Sequence, residues 1–116
     1  MPVIFWFGDC LALVELEESS FAKNVLDSKG NSVVFFYAAW CPDCRKAEPM
    51  LEEVSMQFEG VRFFKLDAEK FEGIADQYWV EKYPTIVVMK SGRPLADSLV
   101  EPGSTAEIHS WLSKRL

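Results

Sequence analysis

The sequence predicts an α/β domain, a central mixed β-sheet flanked by helices, in the element order β-α-β-α-β-α-β-β-α. Three observations predict it. The run SVVFFY, residues 32–37, is apolar almost throughout, as in a strand buried on both faces. Strand-like runs alternate with helix-like stretches on either side of it, which implies a parallel sheet core. The stretch VVMKSGRPLADSL, residues 87–99, reads as an antiparallel hairpin that closes one edge.

Each element has its own signal. Residues 11–16, LALVEL, alternate in part and predict the first strand. Ser19 or Ser20 is the expected cap of a helix through FAKNVLDSK, residues 21–29, with Gly30 and Asn31 ending it. Residues 44–60, CRKAEPMLEEVSMQFEG, predict the next helix, with Pro49 as a kink and Gly60 as its stop. VRFFKLDAE, residues 61–69, is a strand, and FEGIADQYWV, residues 71–80, a short helix. TIVVMK, residues 85–90, is an apolar strand, SGRP a turn, and LADSLVE, residues 95–101, the return strand. STAEIHSWLSKRL closes the chain as a helix, capped by Ser104 or Thr105, with Lys114 and Arg115 in its last turn.

Composition bounds the function. The 116 residues fit one domain, residues 1–116, with residues 1–10 as an N-terminal extension. Hydrophobic residues make up 49%, enough for a core that folds without disulfides. The net charge is -6 and no basic patch is evident, so nucleic acid is not an expected partner. No run is long enough to span a membrane. No Lys or Arg precedes the apolar start, and the first basic residue is Lys23, so a secretory signal is not expected. The three cysteines are too few for a stapled secreted scaffold. A cytoplasmic location is therefore expected, with an extracytoplasmic one as the alternative.

The chemistry concentrates in YAAWCPDCRKAEP, residues 37–49. Cys41 and Cys44 are spaced i and i+3, with the first at a helix start that follows a buried strand. A helix N-terminus offers unpaired N–H groups and about half a positive charge, which favours a thiolate. The spacing also lets the sulfurs close into a disulfide. Cys41 is therefore expected to be the exposed attacking thiolate and Cys44 the buried thiol that resolves the mixed disulfide. Pro42 supplies a helix-compatible φ in the first turn. Two other readings are weighed. One is a pair of ordinary buried thiols. The other is half of a zinc site, but only Cys10 and His109 could complete it, and they show no ligand spacing. No metal and no cofactor are expected.

Asp43 puts a negative charge beside the thiols. At about 7 Å and an effective dielectric near about 40, that is about 1 kcal/mol against ionisation. It should favour the disulfide over the dithiolate and so suit a reductant. Its other reading is the ordinary preference for acids in a first helical turn. Partner selection is a further role open to it. Cys10 is expected to be a bystander thiol. VIFWF, residues 3–7, either covers a sheet edge or exposes an apolar patch. Trp79 and Trp111 are expected to be core or hairpin-packing residues, and His109 a surface helix residue.

From about Leu11 onward the chain resembles the thioredoxin family. The resemblance rests on AAWCPDC after an apolar strand, Pro49 five residues past Cys44, FKLDAE, YPT, and KSG before the hairpin. It implies a thioredoxin fold and a thiol–disulfide oxidoreductase with a Trp-Cys-Pro-Asp-Cys site. It implies that Cys41 and Cys44 are catalytic, with Pro42 and Asp43 tuning their redox behaviour. It also implies that Pro84 is a cis-proline and that Trp40, Tyr83, Pro84 and Thr85 meet the substrate. Disulfide-containing proteins or small molecules are the implied substrates, and an external reductase the electron donor. A non-catalytic interaction module, and an extracytoplasmic reductase or isomerase with its signal or anchor removed, are the alternatives. One departure stands out. Where the family keeps a buried aspartate that moves the proton of the second cysteine, this chain has Phe35. Glu48, one helical turn after Cys44, and Lys65, which matches the family's buried lysine, are the candidates to replace it. The competing reading makes Glu48 a solvated helix residue and Lys65 a snorkelling strand residue.

Overall fold

The computed structural model describes residues 13–26 and 29–116. Strand β1, Val14–Glu15, leads into helix α1, Glu18–Phe21, which continues as a π-helical segment, Ala22–Leu26. Then come β2 (Asn31–Tyr37), α2 (Pro42–Ser55), β3 (Arg62–Asp67) and α3 (Glu72–Gln77). The chain closes with β4 (Thr85–Lys90), β5 (Arg93–Pro94), β6 (Leu99–Val100) and α4 (Thr105–Ser113). The strands form one mixed sheet in the order β1-β3-β2-β4-β5, with β6 also paired to β4. β1 and β2 run parallel to β3, whereas β4 is antiparallel to β2 and to both hairpin strands.

β2 lies at the centre because its side chains need cover on both faces. Val33 and Phe35 join Leu51, Val54, Ile108 and Leu112 on the side of α2 and α4. Val34 and Phe36 join Phe21, Val25, Leu66 and Ile74 on the side of α1 and α3. This alternation gives the predicted sheet between helical layers. Among the described residues no helix is long and apolar enough to cross a membrane.

Several boundaries differ from the sequence reading. The first helix is capped at Glu17, not at Ser19 or Ser20. Ser20 sits one turn inside, and its hydroxyl accepts the Glu17 N–H at 2.9 Å. It plays the reciprocal part of a capping box. Helix α2 ends at Ser55, short of Gly60. The Ser55 hydroxyl donates to the Glu52 carbonyl at 2.6 Å, a local bond that competes with a further helical turn. The helix runs on through Pro49, which forgoes one backbone bond.

The return strand expected over residues 95–101 is two fragments. Arg93–Pro94, placed in the turn by the sequence, already pairs with Met89 and Lys90. Leu99–Val100 rejoins the edge opposite Thr85 and Ile86. Between them Asp97 is drawn to Arg115, whose Nε donates to its carboxylate at 3.0 Å. Gly92 makes the turn possible: it has φ +82°, and a Cβ there would collide with the Leu26 carbonyl.

Trp79 is not a core residue. It is 82% exposed and has φ +56°. Tyr78 is turned inward against Phe21 and Phe36, and Val80 is buried, so the residue between them must face out. Trp111 is half-buried, with the Arg115 guanidinium 4.2 Å from its ring centre. His109 is half-buried against Phe58 rather than fully at the surface. Cys10 and residues 3–7 lie outside the described residues.

Candidate active site

β2 ends at Tyr37, and the chain turns so that Cys41 becomes the N-cap of α2, with Pro42 as its first residue. The Cys41 N–H donates to the Ala38 carbonyl at 3.1 Å, which closes the turn. The Cys41 sulfur then does what a capping oxygen does elsewhere. It accepts the Cys44 N–H at 3.2 Å, one of the orphan donors of the helix start. Its own S–H points to the Tyr83 carbonyl at 3.6 Å. Both thiols are free.

The expected difference in exposure is absent. Cys41 is 4% exposed and Cys44 3%. Trp40, Pro42 and Tyr83 line a groove together with Cys41. Cys44 is pushed up from an ordinary value of 9.0 to about 12. Burial is the largest cause, followed by the hydrogen bond with Cys41; a backbone bond with Ala38 opposes them, and the charges of Cys41 and Asp43 add. The charge of Asp43 thus bears on the second cysteine of the pair.

The facing wall comes from the start of β4. The Tyr83–Pro84 peptide is cis, as the resemblance implied. The Pro84 carbonyl accepts the Glu101 N–H at 2.8 Å, which ties this loop to the end of β6. Pro84 and Thr85 are buried. The Thr85 hydroxyl donates to the Lys82 carbonyl at 2.6 Å, which braces the loop before the cis peptide. Trp40 is 60% exposed and meets Tyr83 edge to face, with ring centres 6.2 Å apart. That rules out a core role for it.

Phe35 is fully buried, in register with Lys65 on β3 and Ile86 on β4. The Lys65 ammonium is therefore directed elsewhere and donates to Glu48 at 2.8 Å. The structure joins the two residues singled out as candidates. It adds two that the sequence did not reveal. Glu15 lies 3.9 Å from the same ammonium, and the Tyr37 hydroxyl donates to both Glu15 oxygens at 2.8 Å. Burial works against the Lys65 charge, but the Glu48 bond and the Glu48, Glu15 and Glu52 charges outweigh it and hold the ammonium above its ordinary range. The Tyr37 phenol is held protonated by burial first and by Glu15 second. Glu15 and Lys65 meet because β1 and β3 pair in parallel with those residues opposite each other, a register that no local pattern encodes.

A family model for thioredoxin matches residues 12–114. The chain belongs to the thioredoxin family. Thioredoxin of Synechocystis is 34% identical over 106 residues, covering 90% of this chain and 98% of that protein. Thioredoxin 1 of Nostoc is 30% identical over 106 residues, with the same 90% and 98% coverage. Thioredoxin H5 of Arabidopsis thaliana is 37% identical over 86 residues, covering 73% of each chain. With the fold in place, this thioredoxin-family chain is a thiol–disulfide oxidoreductase.

Proposed function

We propose that the protein is a disulfide reductant in which Cys41 attacks and Cys44 resolves. The observation that carries this reading is the Cys44 N–H directed at the Cys41 sulfur on a helix start. That contact gives the Cys41 sulfur a backbone N–H donor and ties it to Cys44 in the first turn of α2. The Cys41 thiolate attacks one sulfur of the substrate disulfide. A mixed disulfide forms and the other substrate sulfur leaves as a thiolate. Cys44 then gives up its proton and attacks the Cys41 sulfur. The Cys41–Cys44 disulfide forms and the second substrate thiolate departs. Two electrons have passed to the substrate, and an external reductase returns them. Protein or small-molecule disulfides are the substrates. A reducing compartment such as the cytoplasm would keep the pair in the dithiol state this reading requires.

Burial first, then the bond with Cys41 and the charges of Cys41 and Asp43, hold the Cys44 thiol up at about 12, so at neutral pH it stays protonated and leaves the attack to Cys41. Equilibration with glutathione is expected to give a potential near about -270 mV. A value near about -120 mV, that of a strong oxidant, would overturn the reading.

A thiol this hard to ionise needs a proton acceptor in the resolving step. We assign that task to Glu48, one helical turn after Cys44 and held by Lys65. Glu48→Gln is expected to slow decay of the mixed disulfide by about tenfold or more in stopped-flow measurements and to flatten its pH dependence. An unchanged rate and profile would remove Glu48 from the mechanism.

A further inference from the structure

We propose that the groove over Cys41 selects disulfides flanked by basic residues. The inference rests on Cys41 as the attacking thiol and specifies the substrate that reaches it.

The groove measures about 500 Å³ and has the buried Cys41 at its floor. It is a binding site on that ground, independent of its charge. Three carboxylates converge on it from separate elements. Asp43 comes from the first turn of α2, Glu81 from the loop before the cis peptide, and Glu101 from the end of β6. All three residues are exposed, and none belongs to an ion pair among the described residues. Glu101 has φ +50°, a left-handed conformation that glycine adopts without strain and a glutamate does not. Its N–H is fixed on the Pro84 carbonyl, so a carboxylate side chain stands next to the peptide that faces Cys41.

Lys82 lines the same groove, and Lys46 stands in the adjoining depression with Asp43 and Glu101. They do not balance the acids. Beyond Tyr83 lie Glu69, Glu72, Asp76 and Asp67, whose charges, after burial, hold its phenol protonated. Lys70 is the one lysine within that run, and it is paired with Glu17 at 3.4 Å. With Arg45, whose guanidinium donates to the Ala39 carbonyl beside the motif at 3.2 Å, the nearby cations number four against these seven acids, so the site mouth carries net negative charge, which a concave wall focuses. The aromatic walls agree with a cationic guest. The Trp40 ring, 60% exposed and nearly perpendicular to that of Tyr83, leaves aromatic surface for a Lys or Arg side chain to approach.

The test uses two oxidised peptides that differ only in lysines or glutamates flanking the disulfide. Each rate is normalised to reduction of the same peptide by dithiothreitol, because flanking charge also alters the leaving thiol. At low ionic strength kcat/KM is expected to favour the lysine peptide by about tenfold or more. The ratio should fall towards one in about 1 M salt, where the Debye length is about 3 Å. Glu81→Lys with Glu101→Lys should abolish or invert it. A ratio near one at low salt overturns the proposal while leaving the reductase reading intact, as does a preference indifferent both to salt and to the double substitution. Turnover of neither peptide overturns the reductase reading, and this proposal with it.

Discussion

Cys41→Ser is expected to abolish disulfide reduction, with a loss of at least about 10³-fold in kcat/KM, whereas Cys44→Ser is expected to stall it half-way. The two cysteines occupy different positions in one geometry. Cys41 lines the groove and caps the helix, so its sulfur is the one a substrate meets. Cys44 is not among the groove's lining residues, and its N–H points at the Cys41 sulfur. A chain without Cys44 can still attack but cannot expel the product. It should accumulate a covalent adduct of one substrate on Cys41, seen by mass spectrometry and released by dithiothreitol. An adduct on Cys44 in the Cys41→Ser protein, with turnover retained, would reverse the assignment.

The largest effect on stability is expected at Phe35. Its ring is fully buried between Lys65 and Ile86 in the sheet register and stacks on Tyr37, with ring centres 6.2 Å apart. Phe35→Ala should cost about 3–5 kcal/mol in chemical denaturation, from lost burial and the cavity left behind. A loss below about 1 kcal/mol would show that the site collapses around the gap. Phe35→Asp, which places the family's usual residue here, should cost more at neutral pH. The added carboxylate must be desolvated, and the Lys65 ammonium opposite is already held by Glu48. Burial raises the folded-state pKa of such a carboxyl above its unfolded value of about 3.9, so the charge penalty applies above that value. The excess over alanine should therefore shrink as pH falls from about 7 towards about 4.

The same residue shows what the sequence could convey. Phe35 in the place of the acid was legible, and so was Glu48 one helical turn after Cys44; the structure pairs that Glu48 with Lys65. Glu15 and Tyr37 were not legible. Their meeting depends on strand register, and register is a property of the assembled sheet. The fold was readable wherever a long periodic or apolar run existed, as in β2, α2 and β4. It was misread where a single side chain decides the outcome. Ser20 looked like a cap but serves the cap at Glu17, and LADSLVE looked continuous until Asp97 is seen bound to Arg115. Of the two roles its chemistry suggests for Trp79, core or hairpin packing, the inward turn of both neighbours excludes the core. The buried Cys41 was missed for a related reason: spacing indicates which thiol starts the helix, but the loop that covers it comes from Tyr83, distant in sequence.

The break between β5 and β6 bears on what happens after reduction. A substrate that unfolds once its disulfide is gone can offer extended segments to any open strand edge. An unbroken strand along β4 would present such a segment with a continuous row of unpaired backbone groups. Here that border consists of two fragments of two residues each, separated by a bend, and Pro94 has no N–H to donate. The border is too short and too interrupted to extend into a ladder. A released product therefore finds little there to hold it by β-pairing, and the molecule is guarded along this border against co-aggregating with the chains it unlocks.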